Sequence, residues 1–121
     1  MEFKKTLNLL WKAARQRRFV TYKDIADANG ASWNKVRFAM IGHLFDLNQG
    51  AAHRGIPMLS AIVVDKIHVK TGRKEPSGLK GFVEGARLLG FPVDDPEAFH
   101  MAQQQACFIW AAGGTKPIIE D

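Results

Sequence analysis

The chain predicts a mainly α-helical fold with a small β component, arranged as a winged helix-turn-helix followed by a C-terminal helical extension. Three features point there. Apolar residues recur at helical spacing through most of the chain, Asn29-Gly30 interrupts that pattern with a tight turn between two helical segments, and a β-branched run from Met58 to Lys66 follows them. With 121 residues, 46% hydrophobic and 24% charged, the chain has the size and composition of one globular domain, placed at 1–114, with a loose tail at 115–121.

Taken in order, residues 2–18 carry Phe3, Leu7, Leu10, Trp11 and Ala14 on one helical stripe, with Lys5, Lys12 and Arg15 opposite. Thr21 and Asp24 have the spacing of a capping box, so a second helix starts at Tyr22 and stops at Asn29-Gly30. Ser32 supplies the next N-cap. Trp33, Val36, Met40, Leu44 and Leu47 then predict one long third helix, which places the helix-turn-helix at about 22–48. Strand and wing are expected at about 58–78, where Ile62-Val63-Val64 form a buried strand and the Gly/Pro-containing stretch 70–78 is a hairpin or extended loop. Two C-terminal helices fill about 79–112. One carries Leu79, Phe82, Val83, Ala86 and Leu89; the other starts at Asp95-Pro96-Glu97 and turns Phe99, Ala102, Ala106, Ile109 and Trp110 inward.

Several chemistries are excluded by what the sequence lacks. Cys107 is the single cysteine, so no disulfide forms, and its place between Ala106 and Phe108 reads as a small buried hydrophobe. His43, His53, His68 and His100 fall in different elements without ligand spacing, Gly113-Gly114-Thr115-Lys116 lacks the pattern of a P-loop, and no cofactor is expected. Ser60 has no context of an activated nucleophile and reads as an ordinary strand residue. No apolar run approaches the length of a membrane span, and a cytoplasmic, non-membrane protein is expected.

Charge is unevenly spread: residues 1–80 carry 15 Lys and Arg against 6 Asp and Glu, whereas residues 81–121 carry 2 against 6. Such a basic segment is the electrostatic footprint of a phosphate-backbone binder, although many basic proteins never touch nucleic acid. Ser32, Asn34 and Lys35 open the third helix, where free N–H groups can meet phosphates. Lys66, His68, Lys70, Arg73 and Lys74 concentrate cationic groups on the wing, and Arg54 adds one beside it. The outer face of the third helix, with Lys35, Ala39, Gly42 and Asp46, offers few side chains for reading base edges, so binding should lean on backbone and shape.

The motifs Thr21-Tyr22-Lys23-Asp24-Ile25-Ala26, Gly30, Arg37, Ile56-Pro57-Met58-Leu59-Ser60-Ala61-Ile62-Val63-Val64, Gly81-Phe82 and Ala86-Arg87-Leu88-Leu89-Gly90 together resemble the DNA-binding domain of the alkylguanine-DNA alkyltransferases and their catalytically silent alkyltransferase-like relatives. The resemblance covers roughly residues 5–90. It implies a phosphate contact for Tyr22 and, after a one-residue insertion following Gly30, a place inside the duplex for Arg37 beside a flipped base. Helical spacing alone leaves open whether Arg37 is exposed or packed over the core. The family's Pro-Cys-His-Arg motif is replaced by Met58-Leu59-Ser60-Ala61, so alkyl transfer is not implied.

The expected function is therefore non-catalytic binding of duplex DNA, as a regulator or DNA-recognition accessory. The alternative is a small immunity, adaptor or inhibitor protein that meets an acidic partner. Met101, Phe108 and Ala112 project from the last helix opposite its expected core face, which leaves two expectations: a homodimer through that strip, or cover from the first helix of the same chain.

Overall fold

The computed structural model describes residues 1–114 and Lys116; the tail expected at 115–121 otherwise lies outside the described residues. Helix accounts for 64% of the fold, with a two-stranded parallel sheet beside it.

Helix α1 (Phe3–Arg15) buries Leu7, Leu10, Ala13 and Ala14. Arg17, at φ 53°, turns the chain out of the helix, its N–H donating to Ala14 O and that of Arg18 to Ala13 O. Strand β1 (Val20–Thr21) leads into α2 (Tyr22–Ala28) through the expected capping box: Asp24 N donates to Thr21 Oγ1 and Thr21 N to the Asp24 carboxylate. Gly30, at φ 66°, closes α2 as the sequence predicts.

The third helix is where the structure first departs from expectation. Instead of one long helix there is a single turn, α3 (Trp33–Val36), then a break at 37–39, then α4 (Met40–Ala52). Arg37 and Ala39 keep right-handed dihedrals through the break, so the helical phase of Trp33, Met40, Leu44 and Leu47 survives while the regular hydrogen-bond ladder does not. Periodicity alone is blind to such an interruption.

Beyond α4 the β-rich run also shortens. Leu59–Ile62 form a 3-10 helix, only Val63–Val64 form strand β2, and β2 pairs parallel with β1, Val20 opposite Val63 and Thr21 opposite Val64. Ser60 is accordingly a 3-10 residue. The expected wing is a strap: Lys66–His68 make a second 3-10 turn, residues 69–75 run on without strand pairing, and Pro76-Ser77-Gly78 already belong to α5 (Pro76–Leu88), with proline in its first turn. Gly72 shows why the strap lies flat. Its φ is 75° and a Cβ there would run into the Phe19 ring.

Helix α6 (Pro96–Ala112) is capped by Asp95, whose carboxylate accepts from Ala98 N. Its buried face is His100, Gln104, Cys107, Phe108 and Ala111, whereas Ala102 and Ile109 are exposed and Phe99, Ala106 and Trp110 only half-buried. The inward face expected from hydrophobicity is thus rotated, because two of the core positions are polar. Gln104 Nε2 donates to Ala61 O at 3.0 Å and Gly72 O at 2.7 Å, and the His100 ring meets Ala61 O at 2.9 Å.

The same rotation removes the centre of the expected dimer strip. Phe108 is 4% exposed, set against Phe19 and under the Arg17 guanidinium, while Met101 and Ala112 stay on the outer face. Phe108 is covered from just beyond α1, by Phe19 and Arg17, and α1 itself packs on α6, with Arg15 Nη1 donating to Ala111 O and Gly114 O at the end of α6.

Burial, partly opposed by the bond to Ala61 O and reinforced by the Lys74 charge, holds the His100 imidazole at about 4 instead of 6.5. The unfolded chain then binds more protons between those values, so the stability this residue contributes is complete above pH 6.5 and is lost as pH falls toward 4, by at most about 3 kcal/mol. Urea unfolding of wild type and His100→Gln across pH 4–7 should show a steeper acid loss for wild type, by a sizeable part of that figure.

Candidate functional site

Between α2, the α3–α4 break, α4 and α5 lies a groove of about 740 Å³, within the roughly 300–1,000 Å³ of small-molecule and cofactor sites. Trp33, Met40, Phe45 and Phe82 are among its apolar walls, and polar atoms gather at Tyr22, Asn48, Ser60, Asp65 and Lys74. Small residues open it: a Cβ at Gly85 would come to 3.4 Å from the Phe45 ring, and one at Gly78 to 3.7 Å from the Tyr22 hydroxyl.

Lys74 enters the groove because the strap leads there. Its Nζ donates to Val63 O at 2.8 Å and to the Tyr22 hydroxyl at 3.2 Å, and it lies over the rings of Tyr22 and Phe82. Both hydrogen-bond acceptors are neutral, so the ammonium loses hydration without a carboxylate of the described residues in ion-pair contact. Burial lowers the amine to about 8 against the opposing pull of Asp65. The Tyr22 phenol is raised to about 12, by burial and by the same Asp65 charge, and stays protonated at neutral pH.

Asn48 and Ser60 form a reciprocal pair joining α4 to the 3-10 helix. Asn48 Nδ2 donates to Ser60 Oγ at 2.8 Å and Ser60 N donates to Asn48 Oδ1 at 3.2 Å, both residues being buried. Ser60 Oγ, already accepting, retains its own proton for another acceptor.

Three residues singled out from the sequence, Tyr22, Arg37 and Lys74, come together on this groove. Arg37 is exposed at the α3–α4 break, with its guanidinium 4.6 Å from the Phe38 ring centroid. The Tyr22 hydroxyl is engaged by Lys74 within the groove rather than displayed on the outer surface.

The remaining residues lie elsewhere. Ser32, Asn34 and Lys35 are exposed on and before a helix of one turn, too short for the aligned dipole expected of a long recognition helix, and Ser32 makes no side-chain cap bond. Arg54 follows α4; Lys66, Lys70 and Arg73 are exposed along the strap; and His68 meets Glu75 at 2.9 Å.

Sequence reasoning missed Asn48, Ser60 and Asp65 as groove residues. Asn48 did leave a signal, since it is a polar residue four positions after Leu44 on the core-facing phase of a helix. Cys107 takes no part: it is fully buried, its thiol donates to Met58 O, and burial pushes it up to about 12. No group of His, Cys, Asp and Glu among the described residues is placed to hold a metal, and no helix among them is long and apolar enough to cross a membrane.

Asn48→Ala leaves the buried Ser60 N–H and hydroxyl without their partner, which should cost about 1–3 kcal/mol in urea unfolding. Replacing both residues with apolar ones, Asn48→Leu with Ser60→Ala, should cost less than the sum of the two single changes.

Comparison of the chain with protein-family models, with curated proteins and with solved structures finds no match.

Proposed function

We propose that this chain is a non-catalytic nucleic-acid-binding protein, which engages duplex DNA as a regulator or recognition accessory. The observation that carries the reading is the exposed Arg37–Phe38 turn at the lip of the groove. A cation and an aromatic ring there suit insertion into a base stack. The groove behind them, with aromatic walls and a polar floor, suits an extruded base. On this reading the likeness to alkyltransferase-like proteins extends to nucleotide extrusion without the thiol. Exposed Lys35, Lys66, Lys70 and Arg73 provide the salt-dependent phosphate attraction.

A second reading is favoured by the apolar rim. Phe38, Ile41 and Leu88 are 85%, 76% and 78% exposed, a display that suits an apolar anchor of a protein partner, with the basic half of the chain meeting that partner's acidic surface.

Titration of a duplex containing 2-aminopurine over a range of salt separates the two. The DNA reading predicts binding at low ionic strength, a rise in 2-aminopurine fluorescence as the base unstacks, and loss of that rise in Arg37→Ala. Lys70→Ala with Arg73→Ala should weaken binding to unrelated sequences alike and reduce the salt slope by about 2. Absence of duplex binding at low salt contradicts the DNA reading and favours the protein partner.

A further inference from the structure

We propose that Lys74 is a nucleophilic amine that captures an aldehyde as a reversible imine at the floor of the groove, and that its ligand is the ring-opened deoxyribose of an abasic nucleotide. The choice of ligand rests on the DNA reading above; the nucleophilicity of the amine does not.

Geometry supplies the argument. Lys74 is the only lysine among the residues lining the groove. Two of its tetrahedral positions are committed, to Val63 O and to the Tyr22 hydroxyl. Among the described residues no acceptor takes the third N–H of the ammonium. When that proton leaves, both hydrogen bonds survive and the lone pair occupies the third position. The strap therefore holds an amine that deprotonates without losing its anchors, and burial makes that deprotonation accessible near neutral pH. Surface lysines such as Lys35 and Lys80 are exposed and have no such enclosure.

Tyr22 completes the arrangement. Its oxygen accepts from Nζ at 3.2 Å, so its own proton remains available beside the reacting amine. The lone pair of Nζ attacks the carbonyl carbon, a C–N bond forms, and the carbonyl π pair moves to oxygen, which takes a proton from the Tyr22 hydroxyl or water. The nitrogen gives up a proton, returning the phenol to its neutral form. The carbinolamine hydroxyl then takes a proton from the Tyr22 phenol and leaves as one water, which gives an iminium, and the remaining N–H proton returns to the phenolate, leaving the imine and a neutral phenol. Amine and aldehyde give imine and water, with no oxidant or reductant consumed. An abasic nucleotide fits because it brings an aldehyde in place of a base to the position that an extruded base would occupy.

The test incubates the full chain with cyanoborohydride and either a duplex carrying one abasic site or benzaldehyde, followed by peptide mapping. Both arms should yield a reduced adduct on Lys74, at least tenfold above any exposed lysine, with a yield that rises through pH 8. Lys74→Arg, checked for folding by circular dichroism, should abolish it. Labelling spread over the surface lysines, or no adduct in either arm, overturns the proposal in wild-type protein without reliance on the variant. A benzaldehyde adduct beside a bound but untrapped abasic duplex, with binding read by anisotropy, overturns the abasic ligand. If no duplex binds at all, the DNA reading fails and the abasic ligand with it, while the benzaldehyde arm still decides the nucleophilicity of Lys74.

Discussion

The carboxamide of Gln104 ties α6 to the 3-10 helix and to the strap. It donates to two carbonyls, Ala61 O in the 3-10 helix and Gly72 O in the strap, and the strap has no sheet of its own to satisfy the second. A buried carbonyl left without a donor costs about 1–3 kcal/mol, comparable to a substantial fraction of a small domain's net stability. By answering both from α6, Gln104 fixes the course of residues 69–75 over the body. Phe19 then packs across Gly72, Phe108 packs against Phe19, and the helix that supplied the carboxamide is held in turn.

The groove inherits its character from that clasp. Lys74 lies two residues beyond Gly72, so the same fixation delivers its amine to Val63 O and Tyr22, beside Asp65 but out of ion-pair contact with it. A charged amine placed this way is costly to desolvate, and the fold tolerates it through two hydrogen bonds and two aromatic faces. Binding sites often sit where local energetics are unfavourable and the surrounding structure compensates. The interrupted third helix belongs to the same logic. By ending α3 after one turn, the chain brings Arg37 and Phe38 out at the lip while Trp33 and Met40 still face inward.

Much of this was legible in the sequence, and the exceptions share a physical cause. Capping signals such as Thr21/Asp24 and Asp95-Pro96 are local, involve a few neighbouring residues, and were read correctly. Helical phase at 33–47 was legible too, but not the break, because Arg37 and Ala39 stay right-handed. The strand at 58–66 shrank to two residues since a short apolar run reports burial, which a fully buried 3-10 helix packed under α4 and α6 provides equally well. The face of α6 was misread because hydrophobic periodicity ignores residues such as His100 and Gln104 that are buried to bond carbonyls far away in sequence. Tyr22, Arg37 and Lys74 were found as cations or aromatics in a basic half; that they share one groove depends on those long-range bonds. Asn48, Ser60 and Asp65 were missed for the same reason.

If the clasp governs the strap, its removal should be felt at Lys74 without dismantling the helices. The most direct measurement is the Lys74 titration, followed by NMR of the side-chain carbons next to Nζ, in wild type and in Gln104→Leu, which keeps much of the volume and deletes both hydrogen bonds. The variant should be folded and helical, with the Lys74 value moved from about 8 toward the ordinary 10.5 as the strap loosens and the amine regains water. A folded Gln104→Leu protein whose Lys74 still titrates near 8 would contradict this.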